Sequence, residues 1–357
     1  MRYIPINHIK PGMILGKSIY DKSGIKLLNH GNTVTAEYLD RILSLGYSGL
    51  YIDDELSNDF TIDSIVIDHM RHEAIRSLKN IFVASPSSDP SEYQDEINFL
   101  SASLIRIVDE IIATQDIIVN MIDLKIYDDY TYFHSVNVAV LALIVGNALK
   151  FHKVLLVQLG MSAMLHDIGK KFTPIEILSK PGKLNTIEFD IIKEHPSNGY
   201  HFIKKNFLNI SATTYIGILH HHERYDGSGY PAGIEGNDIT IFGRILAVCD
   251  VYDALVSDRP YHKAYLPSDA LEFIQGGSGT MFDPNIVLAF SRKVASYPLG
   301  TAVTLSNGQV GIVVENYEEF NMRPKIKIIK NNVVSHYLNL KSDYDARNIT
   351  IVGLADL

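Results

Sequence analysis

Several histidines of this chain stand next to carboxylates or at predicted helix ends, where they could bind metal ions. His166 and Asp167 follow each other at the end of a predicted apolar helix over residues 154–165. An imidazole nitrogen binds one ion, whereas the two oxygens of an aspartate can bridge two. Lys170 comes three residues after Asp167 and projects from the same side of a helical turn. Since isolated His-Asp pairs are common, this pair predicts a metal site only together with further ligands.

Three other elements supply further histidines. His134 begins the most apolar predicted helix, where a buried cap is the alternative interpretation. His195 precedes Pro196, which we expect to end a helix and leave the imidazole at the helix C-terminus, where the alternative is a cation favoured by the dipole. Three consecutive histidines, 220–222, follow an apolar stretch and leave it in different directions, so at most two face one site.

The last element is Asp250, which shares a face of an apolar helix with Asp253. Buried carboxylates need a cationic partner. Either a metal ion or the nearby side chains of Arg259 and Lys263 could provide it. Cys249, the only cysteine, is interpreted as a small buried apolar residue and not as a ligand.

Together these elements offer five imidazoles and two carboxylates, which suit a two-metal centre bridged by Asp167. The candidate ligands are His134, His166, Asp167, His195, His221, His222 and Asp250. Ions about 3.5–4 Å apart in such centres activate water and stabilise the oxygens of a phosphate ester. Nitrogen and oxygen ligands without thiolate favour iron or manganese over zinc.

The elements that position these residues predict a mainly α fold. Residues 1–60 are predicted to be a small mixed α/β module, with a turn at 21–24 between strands and a helix capped by Thr35. Residues 61–92 contain a linker helix and a Pro/Ser loop. Residues 93–298 have helical periodicity and form the core domain, and residues 299–357 are a small β-module with a hairpin at Asn307-Gly308.

Composition limits the class of partner and the compartment. A net charge of -9 argues against binding to polymeric nucleic acid, but not against a small phosphorylated ligand. The longest apolar stretch, residues 136–149, is shorter than the roughly 18–20 residues of a membrane span, and the N-terminus lacks the apolar region of a signal peptide. With a single cysteine as well, we expect a cytoplasmic protein without a membrane span.

The order and spacing of these residues resemble the HD superfamily of metal-dependent phosphohydrolases. The segment from His221-His222-Glu223 to Gly229-Tyr230-Pro231 resembles the motif of its HD-GYP branch, and Arg259-Pro260-Tyr261 also matches. The similarity extends over about 200 residues. The resemblance implies an all-helical HD-type domain with a di-iron, di-manganese or sometimes trinuclear site, and a phosphodiesterase that converts cyclic di-GMP to pGpG and onward to GMP.

The resemblance also implies roles for individual residues. A metal-bridging hydroxide would attack the phosphodiester, with Asp167 and Lys170 as catalytic residues. Lys170, Asp253 and Arg259 would contact or seat the substrate, and the loop 227–231, with Tyr230, would shape the pocket.

Two positions depart from the family pattern. A glutamate that accompanies a third metal is replaced by Tyr130, so we expect two metals, although Asp128, a further substrate-binding candidate, or Asp129 could reach in. His262 occupies the position of a basic residue after Arg259. The alternative functions are a cyclic di-GMP receptor with little or no turnover and a phosphohydrolase for another nucleotide. We also expect that two chains can pair through the predicted helix at 62–82, and that the protein has signalling proteins as partners.

Overall fold

The structure is a computed structural model. It describes residues 1–20, 26–45, 47, 49–58, 60, 68–83, 90–114, 118–119, 130–180, 182–207, 209–257 and 264–355. The chain divides into two compact units. One comprises Met1–Ser64, Ile118–Tyr130 and Val294–Leu357, and the other comprises Ile65–Ile117 and Thr131–Lys293.

The first unit contains the described strands and one short helix. The helix, α1, spans Ala36–Ser44, and Thr35 caps it by accepting a hydrogen bond from the Tyr38 amide (3.2 Å), as predicted. The strands are β1 Arg2–Pro5, β2 Ile14–Leu15, β3 Ile19–Tyr20, β4 Lys26–Leu28, β5 Gly49–Asp53, β6 Ala302–Leu305, β7 Val310–Glu315, β8 Lys325–Lys330, β9 Val333–Asn339 and β10 Ile351–Leu354.

The strands pair into three antiparallel sheets within this unit. Strands β1, β5 and β2 form one sheet in the order β1-β5-β2, and β3 pairs with β4. The C-terminal sheet has the order β10-β6-β7-β8-β9. Its β6-β7 hairpin turns at Asn307-Gly308, as predicted, because Gly308 takes a φ of 81°. The sequence patterns did not predict β1 or β9.

The second unit is helical and carries every described candidate ligand. Its helices are α2 Asp68–Val83, α3 Pro90–Ala113, α4 Tyr130–Ala148, α5 Lys153–Leu165, α6 Ile175–Leu178, α7 Thr186–Ile192, α8 His195–Asn206, α9 Ala212–His220, α10 Ile241–Leu255, α11 Pro267–Gly276 and α12 Pro284–Lys293. Helix α2, assigned to the linker in the sequence analysis, belongs to this compact unit. The mainly α class with a small C-terminal sheet is as predicted.

The core of the helical unit is built around α4, α5 and α10, which are apolar on most of their surfaces. One stretch of α4, Thr131–Ala148, is long and apolar enough by composition to cross a membrane, but 72% of it is buried inside the structure. A helix that is apolar all round is buried in the core of a large protein or in a membrane. Polar side chains on these helices are therefore exceptional, and the candidate ligands are among them.

Candidate metal centre

Helix ends of the second unit bring the predicted ligands together. His134 lies in the first turns of α4, His166 and Asp167 follow the last residue of α5, and a 3₁₀ turn continues over Ile168–Phe172. His221 caps the C-terminus of α9, and Asp250 lies in the middle of α10. These side chains are buried, and none of them is more than 12% exposed to solvent.

The predicted position of His195 is wrong. It does not end a helix but begins α8, three residues after the end of α7. Pro196 occupies the first turn of α8, where its missing N–H costs no helical hydrogen bond and its fixed φ suits the helix. The alternative interpretation, a cation stabilised at a helix C-terminus, therefore does not apply to His195.

Three of the imidazoles share one local geometry. His166, His195 and His221 each bring Nδ1 to the backbone carbonyl three residues earlier, at 2.6, 2.7 and 2.6 Å. A carbonyl only accepts hydrogen bonds, so Nδ1 carries the proton and Nε2 presents a lone pair. Metal-binding histidines are commonly oriented in this way by a partner on the other ring nitrogen.

The described ligand atoms form two groups of three. In one group, atoms of His195, His221 and His222 lie within 4.8 Å of one another, and in the other, those of His134, His166 and Asp167 do. Asp167 joins the groups because its Oδ1 lies 3.4 Å from His195 Nε2. Asp250 also lies between them, with Oδ1 3.0 Å from His134 Nε2 and Oδ2 3.9 Å from His222 Nδ1.

Several buried atoms of these groups call for a cation. The Nε2 atoms of His195 and His221 are 3.1 Å apart, although both carry lone pairs in the tautomers that their Nδ1 contacts indicate. Within the described part of the chain, His166 Nε2 and Asp167 Oδ1 are buried without a hydrogen-bond partner. Since unsatisfied buried polar atoms cost about 1–3 kcal/mol each, the donor set fits divalent metal ions.

The ionisation of His195, His222 and Asp167 agrees with that fit. Burial lowers the pKa of His195 to about 3 and that of His222 to about 4, so both rings stay neutral near pH 7. For Asp167, burial is outweighed by Lys170 and the surrounding histidines, which hold the carboxyl pKa well below its usual range. Neutral imidazoles and ionised carboxylates are the protonation states that bind metals.

His134 Nδ1 contacts a buried carboxylate, which in turn accepts a hydrogen bond from a buried amide. Its Nδ1 lies 2.7 Å from Asp253 Oδ2, and Asn137 donates to Asp253 Oδ1 at 3.2 Å. Burial disfavours the protonated ring, but the hydrogen bonds with Asp250 and Asp253 raise the pKa of His134 to about 9. Asp253, for which the resemblance implied substrate contact, is fully buried under this ring, a placement that suits orienting the ligand.

The mouth of the centre is formed by its more exposed side chains. Lys170, 31% exposed, places Nζ 2.6 Å from Asp167 Oδ2, and His222 is 25% exposed. Tyr230 stacks on the His222 ring with centroids 4.8 Å apart and a 30° angle between planes. Of the three consecutive histidines, His220 turns away and accepts a hydrogen bond from the Thr240 amide at 3.2 Å.

Glu223 fixes the loop that carries Tyr230. This buried carboxylate accepts hydrogen bonds from the amides of Ala232 (2.7 Å) and Gly233 (3.1 Å). Neither Glu223 nor Asn137 was assigned a role from the sequence. Asn137 could have been identified, because it interrupts an apolar helix three residues after His134 and therefore on the same face.

Five predicted positions lie outside the described residues: Asp128, Asp129, Arg259, His262 and Lys263. Their proposed roles in substrate or carboxylate contacts stay predictions. The side chain of Tyr130 is also outside them, so the expectation of two metals and not three is untested.

Comparison with known proteins places these residues in a family. Residues 117–286 match the model of the HD domain, and residues 302–348 match that of a KOW domain associated with HD domain, which the sequence analysis did not predict. A cyclic di-GMP phosphodiesterase of Pseudomonas aeruginosa is 37% identical over 240 residues, covering 67% of this chain and 56% of that protein. The cyclic di-GMP phosphodiesterase response regulator RpfG of Xanthomonas campestris is 44% identical over 135 residues, 37% of this chain and 35% of the relative.

The chain thus spans about half the length, or less, of these curated relatives. Among solved structures, an HDG"Y"P protein of Bdellovibrio bacteriovorus aligns with a TM-score of 0.53 at 16% identity, covering 81% of this chain and 97% of the other. That likeness shows a shared fold. The family-model match, the relatives and the two groups of histidine and aspartate ligands all agree: the chain is an HD-domain protein.

Proposed function

We propose that this protein is a metal-dependent phosphodiesterase that hydrolyses cyclic di-GMP to pGpG and further to GMP. The observation that carries the proposal is the pair of adjoining ligand groups, three histidines in one and two histidines with Asp167 in the other. The curated relatives named as cyclic di-GMP phosphodiesterases supply the substrate class.

Two divalent ions, iron or manganese by the donor set, would supply Lewis-acid activation of water and neutralise charge on the phosphate. His195, His221 and His222 would hold one ion, and His134, His166 and Asp250 the other. Asp167 would serve both, since its oxygens lie 3.4 Å from His195 Nε2 and 3.5 Å from His166 Nε2. Without thiolate among these ligands, the set favours iron or manganese over zinc.

The chain's own side chains would orient the substrate. The Lys170 ammonium is partly exposed at the mouth of the centre and can turn from Asp167 to a phosphate oxygen as charge develops there. Tyr230 stays stacked on His222 and limits where the substrate enters. The Asp253 carboxylate, which accepts a hydrogen bond from Asn137, would hold the His134 ring in one orientation.

The test couples metal analysis with product analysis. Protein purified without oxygen should contain divalent metal and convert cyclic di-GMP to pGpG. Asp167→Ala should lose at least one metal equivalent and its activity, whereas Glu272→Ala, which removes an exposed carboxylate of α11, should retain both. Cleavage by Asp167→Ala at the wild-type rate with full metal content would refute the proposal.

The same assay separates the alternatives. Binding of cyclic di-GMP without product would identify a receptor, and cleavage of a different nucleotide would identify another phosphohydrolase. The cytoplasmic location, the pairing of two chains and the signalling partners stay predictions.

A further inference from the structure

An exposed aromatic ring adjoins the mouth of the candidate metal centre. Phe189, on α7, is 44% exposed, although burial of a phenylalanine side chain would stabilise the fold by about 1.5–3 kcal/mol. Its ring meets the edge of Tyr230 with centroids 6.4 Å apart and a 79° angle between planes. No catalytic step proposed above uses Phe189.

The position of Phe189 relative to the ligands is defined by two ring contacts. Tyr230 stacks on His222, one of the more exposed candidate ligands, and Phe189 contacts Tyr230 in turn. Exposure rises along this series, from fully buried ligands through His222 to Phe189. The aromatic series therefore leads outward from the place where a phosphodiester would bind.

The charge beside Phe189 also suits a nucleotide. The Lys193 ammonium lies over the ring, 4.7 Å from its centre, and pairs with Asp190 at 2.9 Å on the surface of α7. Lysine next to an aromatic ring is the combination that single-stranded nucleic-acid sites use, the ring for a base and the cation for a phosphate. A ligand held by its phosphate at the metal centre would extend its base in this direction.

We propose that Phe189 is a stacking platform for a purine base of the substrate and thereby contributes to substrate specificity. The inference rests on the proposed function, because it assumes a nucleotide phosphodiester at the metal centre. Phe189 would bind a part of the substrate remote from the bond that breaks. Its removal should therefore weaken binding without slowing the chemical step.

The kinetic test uses the full chain loaded with metal. Phe189→Ala should raise KM for cyclic di-GMP about tenfold, with kcat within about twofold of wild type, because one base–aromatic stack is lost. Phe189→Tyr, which keeps an aromatic ring at this position, should have the wild-type KM. Ile187→Ala is the matched control: it lies on the same helix, is 74% exposed, and should leave both constants unchanged. An unchanged KM in folded Phe189→Ala overturns the proposal.

A second test does not depend on catalysis. The chain contains no tryptophan, so Phe189→Trp introduces a single tryptophan at the platform, and its fluorescence can be excited selectively over that of the twenty tyrosines. GMP should quench this fluorescence by stacking, whereas ribose 5-phosphate, which lacks the base, should not. In Ile187→Trp, neither compound should quench. Equal quenching at both positions, or none at position 189, overturns the platform.

The two tests also separate failure of this inference from failure of the proposed function. If wild-type protein with bound metal cleaves no cyclic di-GMP, the proposed function fails, while the fluorescence result still decides whether the ring binds a base.

Discussion

Gly169 is the position where a single added methyl group should disturb the candidate metal centre most directly. It lies two residues after Asp167, where the 3₁₀ turn crosses the start of α8. A Cβ at this position would overlap the carbonyl oxygen of His195, and it would lie 2.6 Å from the Gly199 nitrogen and 2.8 Å from the His195 carbonyl carbon. All of these are backbone atoms, so no side chain can rotate away.

The size of the disturbance follows from those distances. Ordinary contacts of a Cβ begin near 3.4 Å, so the turn and α8 must separate by about 0.8 Å or more at Gly199, and further at the overlapped carbonyl. Metal–ligand distances tolerate about ±0.2 Å. Asp167 and His195 stand on opposite sides of this contact. Gly169→Ala should therefore lose metal, and activity should fall about 100-fold, the effect of a 1 Å misplacement at a reacting centre.

The assay measures metal content, cyclic di-GMP hydrolysis and thermal unfolding of the same preparation. Overpacking should also cost about 1–3 kcal/mol of stability. Gly276→Ala is the control, because a Cβ at the end of α11 meets nothing within 4 Å, so metal content and activity should stay at wild-type values. If Gly169→Ala retains full metal and activity within about twofold, the close approach of the two backbones does not position the ligands.

Three further predictions concern the residues around the ligands. Asp253→Asn should lower the affinity for metal about 10- to 100-fold, because His134 loses the carboxylate that orients it. Competition with a chelator measures this affinity, and an unchanged value would contradict the role of Asp253. Glu223→Gln should lower the free energy of unfolding by about 1.5–3 kcal/mol in urea. The two backbone amides donate to different oxygens of Glu223, and in glutamine one of these positions becomes an NH2 group that cannot accept. An equal midpoint and slope would show that the loop is held otherwise. Lys170→Met should make metal loss on acidification begin at a higher pH. Burial raises and Lys170 lowers the pKa of Asp167, so without the ammonium the carboxyl takes up a proton at a higher pH. Metal content measured against pH tests this, and identical profiles for the variant and the wild-type protein would refute it.

The helix cap and the hairpin turn predicted from short sequence patterns are present in the structure. The Thr35 side chain caps α1, and Asn307-Gly308 turns the β6-β7 hairpin, because both depend on hydrogen bonds or φ values within a few residues. The candidate ligands could also be identified from the sequence, because several histidines and carboxylates occur within or next to predicted apolar helices. Strands β1 and β9 were missed because their pairing partners, β5 and β8, contribute as much to strand formation as their own sequences.

Roles that depend on partners distant in the chain could not be assigned in this way. His195 was placed at the wrong end of a helix, because a proline can either end one helix or start the next. The resemblance implied that Asp253 helps to seat the substrate, and the sequence could not indicate that its carboxylate lies 2.7 Å from a ring 119 residues earlier. Neither Phe189 nor Glu223 has a spacing that would indicate its neighbours.

The sequence alone therefore identified the candidate metal-binding side chains, their association with predicted helices, and a donor set of imidazoles and carboxylates. Only the tertiary structure decided how these ligands divide into two groups and that Asp167 lies between them. It also decided which ring nitrogen of four histidines faces the site. In His166, His195 and His221 the other nitrogen donates to a carbonyl three residues earlier, and in His134 it contacts Asp253. The physical reason is that residue type and helical spacing are local properties, whereas the distance between His195 and His221 depends on how α8 and α9 pack.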